Sequence, residues 1–153
     1  VQQIGIIGEK LELSSYGLLS ASRVTAYIHP GNKLATLVGL NKKDVEEQVG
    51  KDIAMQVAAM NPIAVDRGDV NPETLQKERE IATEQTKNDP KNAGKPENII
   101  EKIAVGKLEK FLKENTLLNQ DFIKDGKMSV GQYLKGVGSE LKVTGFLRFS
   151  LRD

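Results

Sequence analysis

The chain of 153 residues has no cysteine and no tryptophan, one histidine, and aromatic side chains at only 5% of positions. Without cysteine, disulfides, thiolate metal sites and cysteine nucleophiles are excluded, which fits a cytoplasmic protein. With His29 as the sole histidine, no metal site or acid–base pair can be built from two imidazoles. No apolar run approaches the roughly 18 residues that a membrane-crossing helix needs, so no membrane is expected. Neither sign of charge is in excess: 22 basic against 21 acidic residues leave a formal +1. That balance gives no general argument for nucleic acid or an anionic membrane as partner. Glycine-rich phosphate loops, dinucleotide fingerprints and hydrolase triads are missing too. The expectation is therefore no enzyme, no catalytic residue, no metal, no cofactor and no direct nucleotide binding.

What is present, 39% hydrophobic and 28% charged residues, has the composition of a soluble globular protein. The length is one domain's worth of chain, able to bury roughly 70% of its unfolded surface if compact. The opening string VQQIGIIGEK reads as starting in mid-element, and suggests a piece excised from a longer protein. A homo-oligomer is left open.

The organising stretch is 96–112, PENIIEKIAVGKLEKFL. On a 3.6-residue repeat, Ile99, Ile100, Ile103, Ala104, Leu108, Phe111 and Leu112 form one apolar stripe opposite Glu101, Lys102, Lys107, Glu109 and Lys110. Pro96 suits the first helical position. A second helix is predicted over 72–87, with Asn71 as N-cap and Pro72 at N1. The turn formers NDPKNAGK separate the two. Helices joined this way fold back as an antiparallel hairpin, a coiled coil projecting from the body.

Along the rest of the chain, residues 1–7 read as the last turns of a helix stopped by Gly8. A strand signal starts at Leu11 and Leu13 and continues towards Tyr16. VTAYIH at 24–29 and LATLVGL at 34–40 form a β-hairpin around HPGNK. Residues 44–60 read as a helix in which Val45, Val49, Ile53 and Val57 recur every four positions. Ala54, Ala58 and Ala59 in the same helix permit close approach of a neighbour, and Asn61-Pro62 ends it. Residues 63–70 read as linker and 116–128 as irregular, with Phe122 and Ile123 as isolated apolar positions. A short helix over 129–135 and a last strand over 141–151 complete the chain. The fold class is α+β: a small antiparallel sheet of three to four strands, covered on one face by the 44–60 helix. Residues 1–70 and 116–153 form the body, and 71–115 the inserted coiled-coil helical hairpin.

Several strings invite chemistry. Asn41-Lys42-Lys43-Asp44 follows an apolar strand as the guanine-reading element of GTPases does, but without a phosphate cradle it reads as a strand-to-helix turn. Arg67-Gly68-Asp69 spells an adhesion tripeptide and is read as a plain turn. Asp66, Asp69, Glu73 and Glu78 are solvated helix-start charges rather than a metal cluster. His29, by residue type and place alone, is a turn histidine without function.

The residues also resemble a known family. IGEK at 7–10, YIHPGNK at 27–33, GKDIAMQVAAMNP at 50–62, GKPENIIEKIAVGKLEKF at 94–111, TLLNQDFIKD at 116–125 and VTGFLRF at 143–149 resemble, in order and spacing, bacterial elongation factor Ts. That family exchanges guanine nucleotide on elongation factor Tu. The resemblance implies that this chain is the C-terminal half of the factor's core, docking on the third domain of elongation factor Tu. Contact residues carried over are Ile7, Gly8, His29, Ile123 and Lys124, which reverses the reading of His29. The Thr-Asp-Phe-Val wedge of the family, which displaces the partner's magnesium and phosphate elements, has no counterpart in the 153 residues. The hairpin tip at 87–94 is about one turn longer than the family's, so no contact is carried over to it. The resemblance thus implies a translation factor that anchors on elongation factor Tu. The rival from another class is an RNA-binding or scaffolding hairpin using Lys87, Lys91, Lys95, Lys102, Lys107 and Lys110.

Overall fold

The computed structural model describes residues 6, 8, 13 and 15–151. Alternation of β-branched and aromatic residues produces β1 (Arg23–Ile28) and β2 (Leu34–Leu40), paired antiparallel with Val24 opposite Gly39 and Ile28 opposite Ala35. Their loop passes through left-handed backbone at Gly31 (φ 93°) and Asn32 (φ 54°), a region open to glycine and tolerated by asparagine. The His29 N–H donates to the Leu34 carbonyl at 2.9 Å and the His29 carbonyl accepts from Asn32 N–H at 3.0 Å, closing the loop. The last strand, β5 (Val143–Ser150), pairs antiparallel with the other edge of β2, giving the order β1-β2-β5. The sheet and its helices have the α+β character expected.

Helix α1 (Glu47–Met60) crosses this sheet. It starts three residues later than its apolar repeat suggested. The side chain of Arg23 donates to the carbonyls of Lys43 and Val45, and Asn41 is bonded to Glu140 and Lys142. These bonds hold Lys43, Val45 and Asn41 in place outside a helix. Asn61, at φ 45°, ends α1 by donating its N–H to the Val57 carbonyl, and Pro62 prevents continuation.

The faces of α1 divide the work. Gly50, Ala54 and Ala58 face the sheet: a Cβ on Gly50 would lie 2.2 Å from Thr25 Oγ1, and the Ala54 carbonyl accepts from Thr36 Oγ1 at 2.9 Å. Ala59 is exposed, so it takes no part in that approach. Val49, Ile53 and Val57 are buried with Val38, Leu40, Leu117, Phe122, Val130, Leu134, Leu141 and Val143 in one core. Gln48, Asp52 and Gln56, again spaced by four, form a third stripe that meets the chain beyond residue 116.

The hairpin helices are α2 (Pro72–Lys87), with Asn71 Oδ1 accepting from Glu73 N–H at 2.8 Å, and α3 (Glu97–Asn115). Pro96 is the N-cap of α3 with an extended ψ of 149°, not its first helical residue. The helix runs on past Leu112 because KEN at 113–115 contains no breaker, and it stops where Thr116 bridges Ala64. Ile100, Ala104, Leu108 and Leu112 are buried at four-residue spacing, while Ile103 and Phe111 are half-buried and Ile99 reaches 36% exposure. Ala82 and Thr86 are the buried residues of α2. Lys87 pairs with Glu97 across the hairpin at 3.0 Å. At its base, Ala64, Val70, Leu108 and Leu112 form a second buried cluster.

Other expectations need correction. Residues 116–128 are not irregular: a 3-10 turn at Leu117–Asn119 leads to β3 (Asp121–Phe122), which pairs antiparallel with β4 (Asp125–Ser129). Two residues of β3, a register shift and the polar DGKMS of β4 hide the alternation that normally marks strands. Phe122 is buried, not isolated, and stacks on Tyr133 at 4.3 Å. The 63–70 stretch contains a 3-10 turn at Arg67–Asp69. The strand signal of 11–16 fails where it can be seen: Leu13, Ser15 and Tyr16 lie outside strands, and Leu13 is 84% exposed. A side chain that open to water has no sheet face to rest on, so alternation alone does not make a strand there. Leu11 lies outside the described residues. Ile6 is helical and Gly8 has φ 77°, while the other residues of the helix expected over 1–7 lie outside the described residues. The helix over 129–135 is α4 (Val130–Val137), capped by a reciprocal Ser129–Gln132 box.

Candidate functional site

The described residues carried over as contacts lie on different segments of the chain. Ile7 lies outside the described residues. Gly8 is exposed ahead of the sheet. His29 follows β1, is exposed, and shares a hydrogen bond of 3.1 Å between its Nδ1 and the Tyr27 hydroxyl, the rings meeting edge-on at 6.1 Å. With the hydroxyl donating, the neutral ring carries its proton on Nε2. Ile123 and Lys124 form the two-residue connection between β3 and β4, and Ile123 leaves 44% of its surface open. Among the described residues no hydrogen bond joins His29 to this connection.

The connection is held from beneath by α1. Gln56, fully buried, accepts from the Ile123 N–H at 2.9 Å and donates to the Asp121 carbonyl at 3.1 Å and to Gln120 Oε1 at 3.2 Å. Asp52, 5% exposed, accepts from Lys124 Nζ and from Gln48 Nε2, both at 2.6 Å, and from the Tyr133 hydroxyl at 3.0 Å. Burial pushes the Asp52 carboxyl up, but the hydrogen bonds from Lys124, Gln48 and Tyr133 outweigh it and hold the group below the usual carboxylate value. Burial, then the bond to Asp52, pushes the Tyr133 hydroxyl up to about 12. At neutral pH the carboxylate and the phenol are thus in the forms their bond requires.

Sequence reasoning passed over Gln48, Asp52, Gln56 and Tyr133. The signal was available: polar residues every four positions in a helix whose neighbouring stripes are apolar must either face water or be buried with partners.

The other strings resolve into local structure. Arg67 pairs with Glu109, and the Asp69 carboxylate accepts from the Asp66 N–H at 3.0 Å, closing the 3-10 turn. Asn41 ties β2 to the start of β5. Among the described residues, no three His, Asp or Glu side chains come together as metal ligands, and no helix is long and apolar enough to cross a membrane. A groove of about 460 Å³ runs along the hairpin between α2 and α3, lined by Arg79, Thr83, Lys87, Glu97, Glu101, Ala104, Val105 and Leu108. Of the lysines that would make the hairpin an RNA binder, Lys87 is paired with Glu97, Lys110 with Glu114, and Lys95 bonds Asn92.

The family model described as Elongation factor TS matches residues 1–153. The chain is 48% identical to the elongation factor Ts of Porphyromonas gingivalis over 149 residues, covering 97% of this chain and 53% of that protein. It is 48% identical to that of Flavobacterium psychrophilum over 152 residues, covering 99% and 54%. The elongation factor Ts of Bacteroides fragilis is 39% identical over 201 aligned positions, covering 97% of this chain and 61% of that protein. The chain spans about half the length of the first two of these relatives. With the family model matching along its whole length and relatives at 48% identity, this chain belongs to the elongation factor Ts family.

Proposed function

We propose that this chain is the partner-gripping half of a guanine-nucleotide exchange factor, docking in the cytoplasm on the third domain of elongation factor Tu. The observation that carries it is the family match along all 153 residues. In this role the chain breaks and forms no bond and holds no cofactor or nucleotide. Ile7, Gly8, His29 and the Ile123–Lys124 connection form the docking surface, the body comprises 1–70 and 116–153, and 71–115 is an inserted coiled-coil arm. Two features of the surface suit docking. The His29 ring stands outside the core and is oriented by Tyr27. The Ile123 side chain is exposed on a backbone that is already ordered, so less freedom is lost on association.

Exchange is a population shift. The factor accelerates release only by binding nucleotide-free elongation factor Tu better than the nucleotide-bound form. A body that grips a remote domain contributes anchoring, raising the local concentration of whatever displaces the nucleotide. His29→Ala tests the docking surface. Because the side chain is exposed at a loop, the melting temperature is expected to stay nearly unchanged, while affinity for elongation factor Tu falls by about 1 kcal/mol or more. Titration calorimetry on both variants measures this, and unchanged affinity removes His29 from the surface.

A further inference from the structure

Lys124 is an exposed lysine whose ammonium is paired with a buried carboxylate. It turns back 2.6 Å onto Asp52, a carboxylate with 6% of its side chain accessible. A buried carboxylate is costly unless it is paired and hydrogen-bonded on both oxygens. Here Oδ1 takes Lys124 and Gln48, and Oδ2 takes Tyr133. Tyr133 in turn stacks on Phe122, the residue preceding Ile123. One helical turn along α1, Gln56 holds the Ile123 N–H and the Asp121 carbonyl. The β3–β4 connection is therefore fixed at the Ile123 backbone by Gln56, ahead of it by buried Phe122, and at Lys124 by the pair with Asp52. Ile123 is left as its apolar, outward-facing tip.

We propose that Lys124 is a positioning residue: its tie to buried Asp52 holds the connection so that Ile123 is presented, already ordered, to an apolar pocket of the partner protein. This rests on the docking function proposed above. A lysine engaged in this way contributes to docking through Ile123, not through its own charge.

The test is a double-mutant cycle in the 153-residue chain: Asp52→Asn, Lys124→Gln, and both together, with Lys124→Arg as the conservative variant. Two quantities are read, hydrogen exchange at the Ile123 amide in the free chain and affinity for nucleotide-free elongation factor Tu. Each single variant is expected to speed exchange at Ile123 about five-fold and to weaken binding by a similar factor. The double variant should do no more than either single one, and Lys124→Arg, which still reaches Asp52, should keep both readouts near those of the unmodified chain. Amides of β1 should exchange as before, reporting an intact body. Lys124→Gln weakening binding with Ile123 exchange unchanged, or Asp52→Asn altering neither readout, would make Lys124 a direct contact and overturn the proposal. If the unmodified chain does not bind elongation factor Tu, the docking function fails, and exchange at Ile123 still decides whether Lys124 orders the connection.

Discussion

Gly50→Val is expected to destabilise the folded chain by about 3 kcal/mol, read as a fall in the urea midpoint with little change in slope. Gly50 lies where α1 crosses β1, and a Cβ there would meet Thr25 Oγ1 at 2.2 Å, its Cβ at 2.9 Å and its Cγ2 at 3.2 Å. Rotation of Thr25 removes the first clash but not the second, because Thr25 Cβ is fixed by the strand backbone. The helix must therefore lift from the sheet. Lifting opens the contacts of Ala54 and Ala58 with the same sheet and loosens Ile53 and Val57 in the core. Combining Gly50→Ala with Thr25→Gly should recover much of the loss suffered by Gly50→Ala alone. A midpoint for Gly50→Val equal to that of the unmodified chain would show that this crossing is not tight.

Phe122→Ala is expected to cost about 3–5 kcal/mol, the range for removing a buried aromatic ring from a core. Phe122 is 4% exposed and stacks on Tyr133 at 4.3 Å with 18° between the planes. Its loss leaves a void in the core that Phe122 shares with Val130 and Leu134 and frees the Tyr133 ring that bonds Asp52. The effect should reach Ile123, so this variant is expected to lose affinity for elongation factor Tu together with stability. Urea unfolding checks the first and calorimetry the second. A cost below about 1 kcal/mol would mean that the site collapses around the missing ring.

Strong periodicity makes most of the frame legible in the sequence. The β1–β2 hairpin and α2 fall where alternation, Asn71 and Pro72 put them. Failures cluster where tertiary bonds override local pattern. Arg23 and Asn41, acting over long sequence distances, keep 41–45 out of α1. The β3–β4 pair is too short and too polar to announce itself, and Phe122 gains its meaning only from Tyr133. The docking surface proposed above rests on resemblance alone, since an exposed histidine in a turn and an exposed isoleucine carry no periodic signal. The stripe of Gln48, Asp52 and Gln56 was legible in principle, but its partners at 120–133 lie far along the chain.

The most direct measurement is release of fluorescent GDP from purified elongation factor Tu, followed with the 153-residue chain and, beside it, with the longer Flavobacterium psychrophilum relative. If the chain is an anchoring half, it should bind elongation factor Tu yet leave GDP release close to the spontaneous rate, while the longer protein accelerates it. Release at the longer protein's rate with this chain alone, or no binding at all, would contradict that role.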